Sequence, residues 1–131
     1  MTEQPSVHAW LHARLAAGDF HHRDHLRLAW MLIDEHGPER AGDALCDLLR
    51  QAAAAHGRPE RYHETMTRFW LRLVVHVRDR RPELSDVDAA VVALPLLLDK
   101  ELPLRHWSRS AMATEEARQR WLEPDVLPLA L

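Results

Sequence analysis

Apolar residues recur along this chain at intervals of three and four, while stretches with strict alternation are few, so the pattern predicts helices and no sheet. A first helix is expected over residues 6–17, with Val7, Trp10, Leu11 and Leu15 on one side and Gly18 as its stop. A second is expected over 22–35, where His21 is placed to cap and Asp24 lies at the third helical position, favourable to the helix dipole. The run "HGPER" then breaks the chain at Gly37 and restarts it with Pro38 in the next first turn. A third helix, over 39–55, turns Leu45, Leu48, Leu49 and Ala52 inward and ends at Gly57. The fourth, over 60–80, is the longest and most periodic. A fifth, over 86–94, meets Pro95, which kinks or ends it. Beyond it the chain reads as short helical pieces broken by Pro103 and Pro124, with Thr114 able to cap one of them through Trp121. The expectation is an all-α single domain spanning 1–131: a bundle of five to six helices with an irregular C-terminal segment.

Composition narrows the function classes. A chain of 131 residues with 47% hydrophobic and 28% charged residues has enough apolar material for one core. The net charge of −3, with no long block of either sign, gives no electrostatic footprint for nucleic acid or acidic membranes. No apolar run reaches membrane-spanning length, and the first ten residues show neither a basic start nor an apolar signal segment. Cys46 is the only cysteine, which excludes an intrachain disulfide and a cysteine-based zinc site. These features point to a cytoplasmic protein. Histidine is the anomaly: ten residues, roughly three times an ordinary share.

Position separates the histidines. His22 and His25, three apart, share a helix face continued by Leu26, Ala29 and Ile33. His63 shares another with Thr67, Trp70, Val74 and Val77. Two histidine-bearing stripes thus face the core from different helices, the way metal sites in bundles are built. His22, His25 and His63 are the candidate ligands of a three-histidine transition-metal centre. Structural or substrate-binding roles for the same side chains stand as the alternative. His8, His12, His56 and His76 read as surface residues, and His106 as intermediate.

The stretch "YHETMT" at 62–67 matches the opening of the zinc-protease pattern H-E-x-x-H, with Thr67 where the second histidine would stand. Glu64 leaves the helix about 100° from His63, too far round to share an ion with it but placed to act as general base on bound water. Tyr62 is a candidate acid or hydrogen-bond donor, and the Thr67 hydroxyl a candidate to hold water or substrate. A surface role for Glu64 and a core role for Tyr62 are the plain alternatives. Arg72, Arg78, Arg80 and Arg81 read as a solvated face. Lys100, Arg105 and His106 lie in the irregular segment and are weak candidates to hold an anionic substrate.

From Phe20 onward the chain resembles a family of small bacterial helical proteins of uncharacterised activity, with signatures F-x-H-x-x-H-L, Y-H-E-T and P-D-x-x-P-L. Here these are Phe20 to Leu26, Tyr62 to Thr65, and Pro124-Asp125-Val126-Leu127-Pro128-Leu129. The resemblance selects His22, His25, His63 and Glu64 and implies no reaction. The paired Glu-x-x-His motifs of di-iron bundles are absent.

The sequence therefore points to a small metal-dependent enzyme acting on a small molecule. Its ion would be Fe, Cu or Zn, since three imidazoles do not choose among them. Zinc would imply hydrolase- or lyase-type water activation, and iron or copper oxygenase-type chemistry. Two alternatives remain: a metal-free acid–base enzyme of isomerase or cyclase type, and a non-enzymatic ligand- or partner-binding helical module.

Overall fold

The computed structural model describes residues 6–131, all of its regular structure helical. The absence of a signal segment was read in part from residues 1–5, which lie outside the described residues. Seven α-helices follow in order: α1 (Val7–Ala16), α2 (His22–His36), α3 (Ala41–Ala55), α4 (Glu64–Arg80), α5 (Val87–Ala93), α6 (Arg109–Met112) and α7 (Glu115–Gln119). None is long and apolar enough to cross a membrane.

The helix ends follow local chemistry. Ser6, Asp86, Ser108 and Thr114 each cap their helix through a side-chain oxygen that accepts a backbone N–H. At the start of α2 the Asp24 carboxylate accepts the His21 N–H at 3.0 Å. Gly37, at φ 85°, ends α2 in a conformation that a Cβ would strain. Pro95 ends α5 and opens a 3-10 turn, Pro95–Leu98.

Short connections make α2, α3 and α4 successive antiparallel neighbours, so α2 and α4 run parallel. Their register is fixed by two contacts: the His22 ring meets Trp70 edge-on at 4.4 Å, and the Arg78 guanidinium lies over Trp30 at 4.7 Å. Between α3 and α4 the Leu71 side chain packs onto Gly42, where a Cβ would come within 3.1 Å of it. The core fills the space between these helices with Leu26, Ala29, Leu45, Phe69, Val74 and Val77. Helix α5 adds Val87, Ala90 and Val91, and the C-terminal part inserts Trp107, which is fully buried. Thr114 caps α7 as expected, but that helix stops at Gln119, short of Trp121, and the chain beyond runs without helix across the bundle.

Candidate functional site

The largest departure from the sequence reading is at the start of α4. Pro59 sets a 3-10 turn over Pro59–Arg61, Tyr62 is extended, and the helix begins only at Glu64. His63 therefore caps the helix instead of lying inside its first turn. Its Nδ1 accepts the Met66 N–H at 3.1 Å, which leaves the proton on Nε2, donated to the Met112 carbonyl at 2.8 Å. Both ring nitrogens are thus committed to backbone. Thr65, fully buried, has one hydroxyl proton shared between the carbonyls of Ala117 at 2.7 Å and Arg120 at 2.9 Å, and its oxygen accepts the Leu122 N–H at 3.2 Å. The Thr67 hydroxyl turns back to the His63 carbonyl at 2.7 Å. Together His63 and Thr65 tie α4 to the C-terminal segment.

Glu64 points the other way, towards α3, and is buried. Its Oε1 accepts the Tyr62 hydroxyl at 2.5 Å and the Arg50 guanidinium at 2.8 Å, while Oε2 accepts Arg68 at 2.5 Å. Burial alone would raise this carboxyl; the Tyr62 hydroxyl and the two guanidiniums outweigh it and hold the group below the ordinary carboxylate range. Such a carboxylate is a poor proton acceptor. Burial, with Cys46 and Glu64 beside it, pushes the Tyr62 hydroxyl far up, so it acts as a fixed donor. Burial likewise pushes the Cys46 thiol up. The chemistry of this cluster is that of a buried ion network joining α3 to α4.

At the start of α2, His22 Nε2 donates to the Leu97 carbonyl at 2.9 Å and anchors the turn after α5. Desolvation holds its imidazole below the usual histidine range, against the raising effect of that bond, and Lys100 adds to the lowering. His25 lies on the exposed side of α2, against Phe20 at 4.5 Å, and not in the core as its spacing suggested. The crowding protein, then the charges of His22 and Lys100, hold its imidazole down as well, with Asp24 opposing; its exposure lets solvent temper that shift. The charge of Lys100 is thus felt at His22 and His25. His63 lies apart from them. His22 lies level with Trp70, seven residues into α4 from His63, a separation of roughly 10 Å along the axis. In the side-chain orientations of the structure, no three of His, Cys, Asp or Glu among the described residues converge to hold a metal ion. As placed, His22, His25 and His63 do not fit a shared ion: they do not converge, and His63 has no free nitrogen.

The C-terminal segment forms a wall. His106 Nδ1 donates to the Leu127 carbonyl at 2.9 Å, Trp107 Nε1 to the Leu122 carbonyl at 2.9 Å, and the Ser108 hydroxyl to Asp125 at 2.6 Å. His106 is thereby a tether, and Arg105 beside it is exposed. Between this wall and the C-terminal halves of α2 and α4 lies an open groove of about 1120 Å³. Its floor includes Ile33, Leu71, Val75 and Leu129. Three of the four arginines that read as one solvated face line this groove and divide here. Arg78 is paired with Asp34 at 2.5 Å, and Arg80 lies 3.8 Å from Asp79. The Arg72 guanidinium lies 3.9 Å over the Trp121 ring, with no carboxylate partner among the described residues. The sequence held no signal for this pair, 49 positions apart. Family models, curated proteins and solved structures were all compared with the chain, and none matches it.

Proposed function

We propose that this chain is a ligand-binding helical module whose groove takes a planar organic anion with an apolar body. The observation that carries this reading is the Arg72–Trp121 stack above an apolar floor. A guanidinium already fixed on a ring keeps its N–H edge for a carboxylate, sulfonate or phosphate, and loses little freedom in binding it. The aromatic wall and the aliphatic floor suit the rest of such a molecule. Nearby Glu123 accepts its own neighbour's indole N–H, from Trp121, at 3.0 Å. Binding is favoured over turnover because His63, Glu64, Thr67 and Tyr62 are committed to internal hydrogen bonds.

The dye 1-anilinonaphthalene-8-sulfonate is a suitable probe. Saturable fluorescence enhancement is expected with one site per chain, and Arg72→Gln should weaken it roughly tenfold, the loss of one charge-assisted contact. Arg80→Gln should leave it unchanged. The uncharged analogue N-phenyl-1-naphthylamine should bind wild type and Arg72→Gln alike. An anion affinity that ignores Arg72 would sink this reading.

A metal-dependent reading keeps one feature in its favour: the imidazoles of His22 and His25 are both pushed down from the ordinary histidine range, which favours the unprotonated form a metal ligand needs. It needs His63 to release the Met66 N–H and the Met112 carbonyl and to move towards His22. The titration below distinguishes it.

A further inference from the structure

Three histidines apart from every contact described so far lie side by side. His8 and His12 are four apart on α1, share a face, and have ring centroids 4.4 Å apart. His56, directly after the last residue of α3, stacks on His12 with centroids 5.9 Å apart and rings inclined by 23°. None of these rings has a hydrogen-bond or ion-pair partner among the described residues, unlike His22, His63 and His106. Nothing among the described residues uses their nitrogens. They read individually as surface residues, but α1 and the end of α3 bring them together.

We propose that His8, His12 and His56 form a surface site for a divalent transition ion of the zinc class. Imidazole nitrogens bind such ions at about 2.0–2.1 Å, which places neighbouring ligand rings roughly 4.5–6 Å apart, centre to centre. The His12–His56 separation of 5.9 Å falls in that range, and the His8–His12 separation of 4.4 Å lies just below it, so those two rings must part slightly to share an ion. The pair His8 and His12 repeats the i,i+4 spacing by which one helix turn chelates an ion. The rings are stacked and not aimed at one point, so binding requires side-chain rotation. His8 and His56 are exposed and His12 is half-buried, which leaves room for that rotation. Water completes the coordination, and the site needs no change in the backbone.

The test is calorimetric titration of tag-free protein with zinc chloride. Wild type is expected to bind one ion per chain. His12→Ala, which removes the central ring, should abolish saturable binding, and His8→Ala and His56→Ala should each weaken it at least tenfold. His76→Ala and His25→Ala, both outside the cluster, should bind as wild type does. No saturable binding by wild type overturns the proposal, and so does an affinity indifferent to His12. Loss of binding in His22→Ala, His25→Ala and His63→Ala, with the surface variants intact, would transfer the ion to the inward trio. Circular dichroism of each variant separates lost ligands from lost fold; the surface variants remove no fully buried side chain and are expected to stay folded. Dye binding in the groove should not change with zinc, so failure here and failure of the ligand-binding reading are told apart.

Discussion

Trp107→Ala is expected to lower the stability of this protein by about 3–5 kcal/mol, the cost of emptying a buried indole's space. Trp107 is completely buried. It meets Phe69 edge-on at 5.7 Å and Trp121 at 5.4 Å, so one side chain joins α4 to the C-terminal segment. Its Nε1 also donates to the Leu122 carbonyl. For a chain of this length such a loss lowers Tm by roughly 10–20 °C. The groove should suffer with the fold, because Trp121 rests against Trp107 and forms the wall below Arg72. Thermal unfolding and dye binding measured on the same variant check both consequences. Val92→Ala, at an exposed position, is the control and should shift Tm by no more than a degree or two. A Trp107 variant that melts like wild type would mean that the C-terminal segment is not part of the folded unit.

Glu64→Gln has the second largest expected effect, about 2–3 kcal/mol. The amide keeps the shape of the side chain but offers one acceptor oxygen where the carboxylate serves Tyr62, Arg50 and Arg68, and its NH₂ faces a guanidinium. Arg50 is half exposed and Arg68 can partly hydrate, which keeps the cost below that of stranding a fully buried charge. The pH dependence gives a second readout. The folded state holds Glu64 below its ordinary value of 4.5. Its stabilisation is therefore complete above that value and is lost as the pH falls through the lower folded-state value. Wild type should lose this component on acidification, and Glu64→Gln should lack it, so their stability curves converge at low pH. Urea unfolding from pH 7 down to about pH 3 measures this. Parallel curves would show that the Glu64 charge contributes nothing to the fold.

Glu64, like His63 before it, has a role that differs from what its spacing suggested. H-E-x-x at a helix start is compatible with catalysis and with capping, because a histidine nitrogen and a carboxylate serve either. What decided the outcome lies far away in sequence. The Met112 carbonyl takes the second nitrogen of His63, and Arg50 takes part of Glu64. His22 opens α2 and His63 caps α4, but spacing along one helix is silent about the register between two.

Local sequence by itself determined the helical class, the breaks at Gly18, Gly37 and Gly57, the caps at Asp24 and Thr114, and the stop at Pro95. Each depends on backbone conformation or on hydrogen bonds that reach three or four residues. Apolar periodicity also gave the buried face of α2 through Leu26, Ala29 and Ile33, since a 3.6-residue repeat has one side. The tertiary structure alone decided the rest. It set the parallel register that places His22 beside Trp70 and ran the C-terminal segment back to meet Thr65. It also stacked Arg72 on Trp121 and brought His56 to His12. Those contacts join residues tens of positions apart, and their geometry is set by how whole helices pack, which no local pattern encodes.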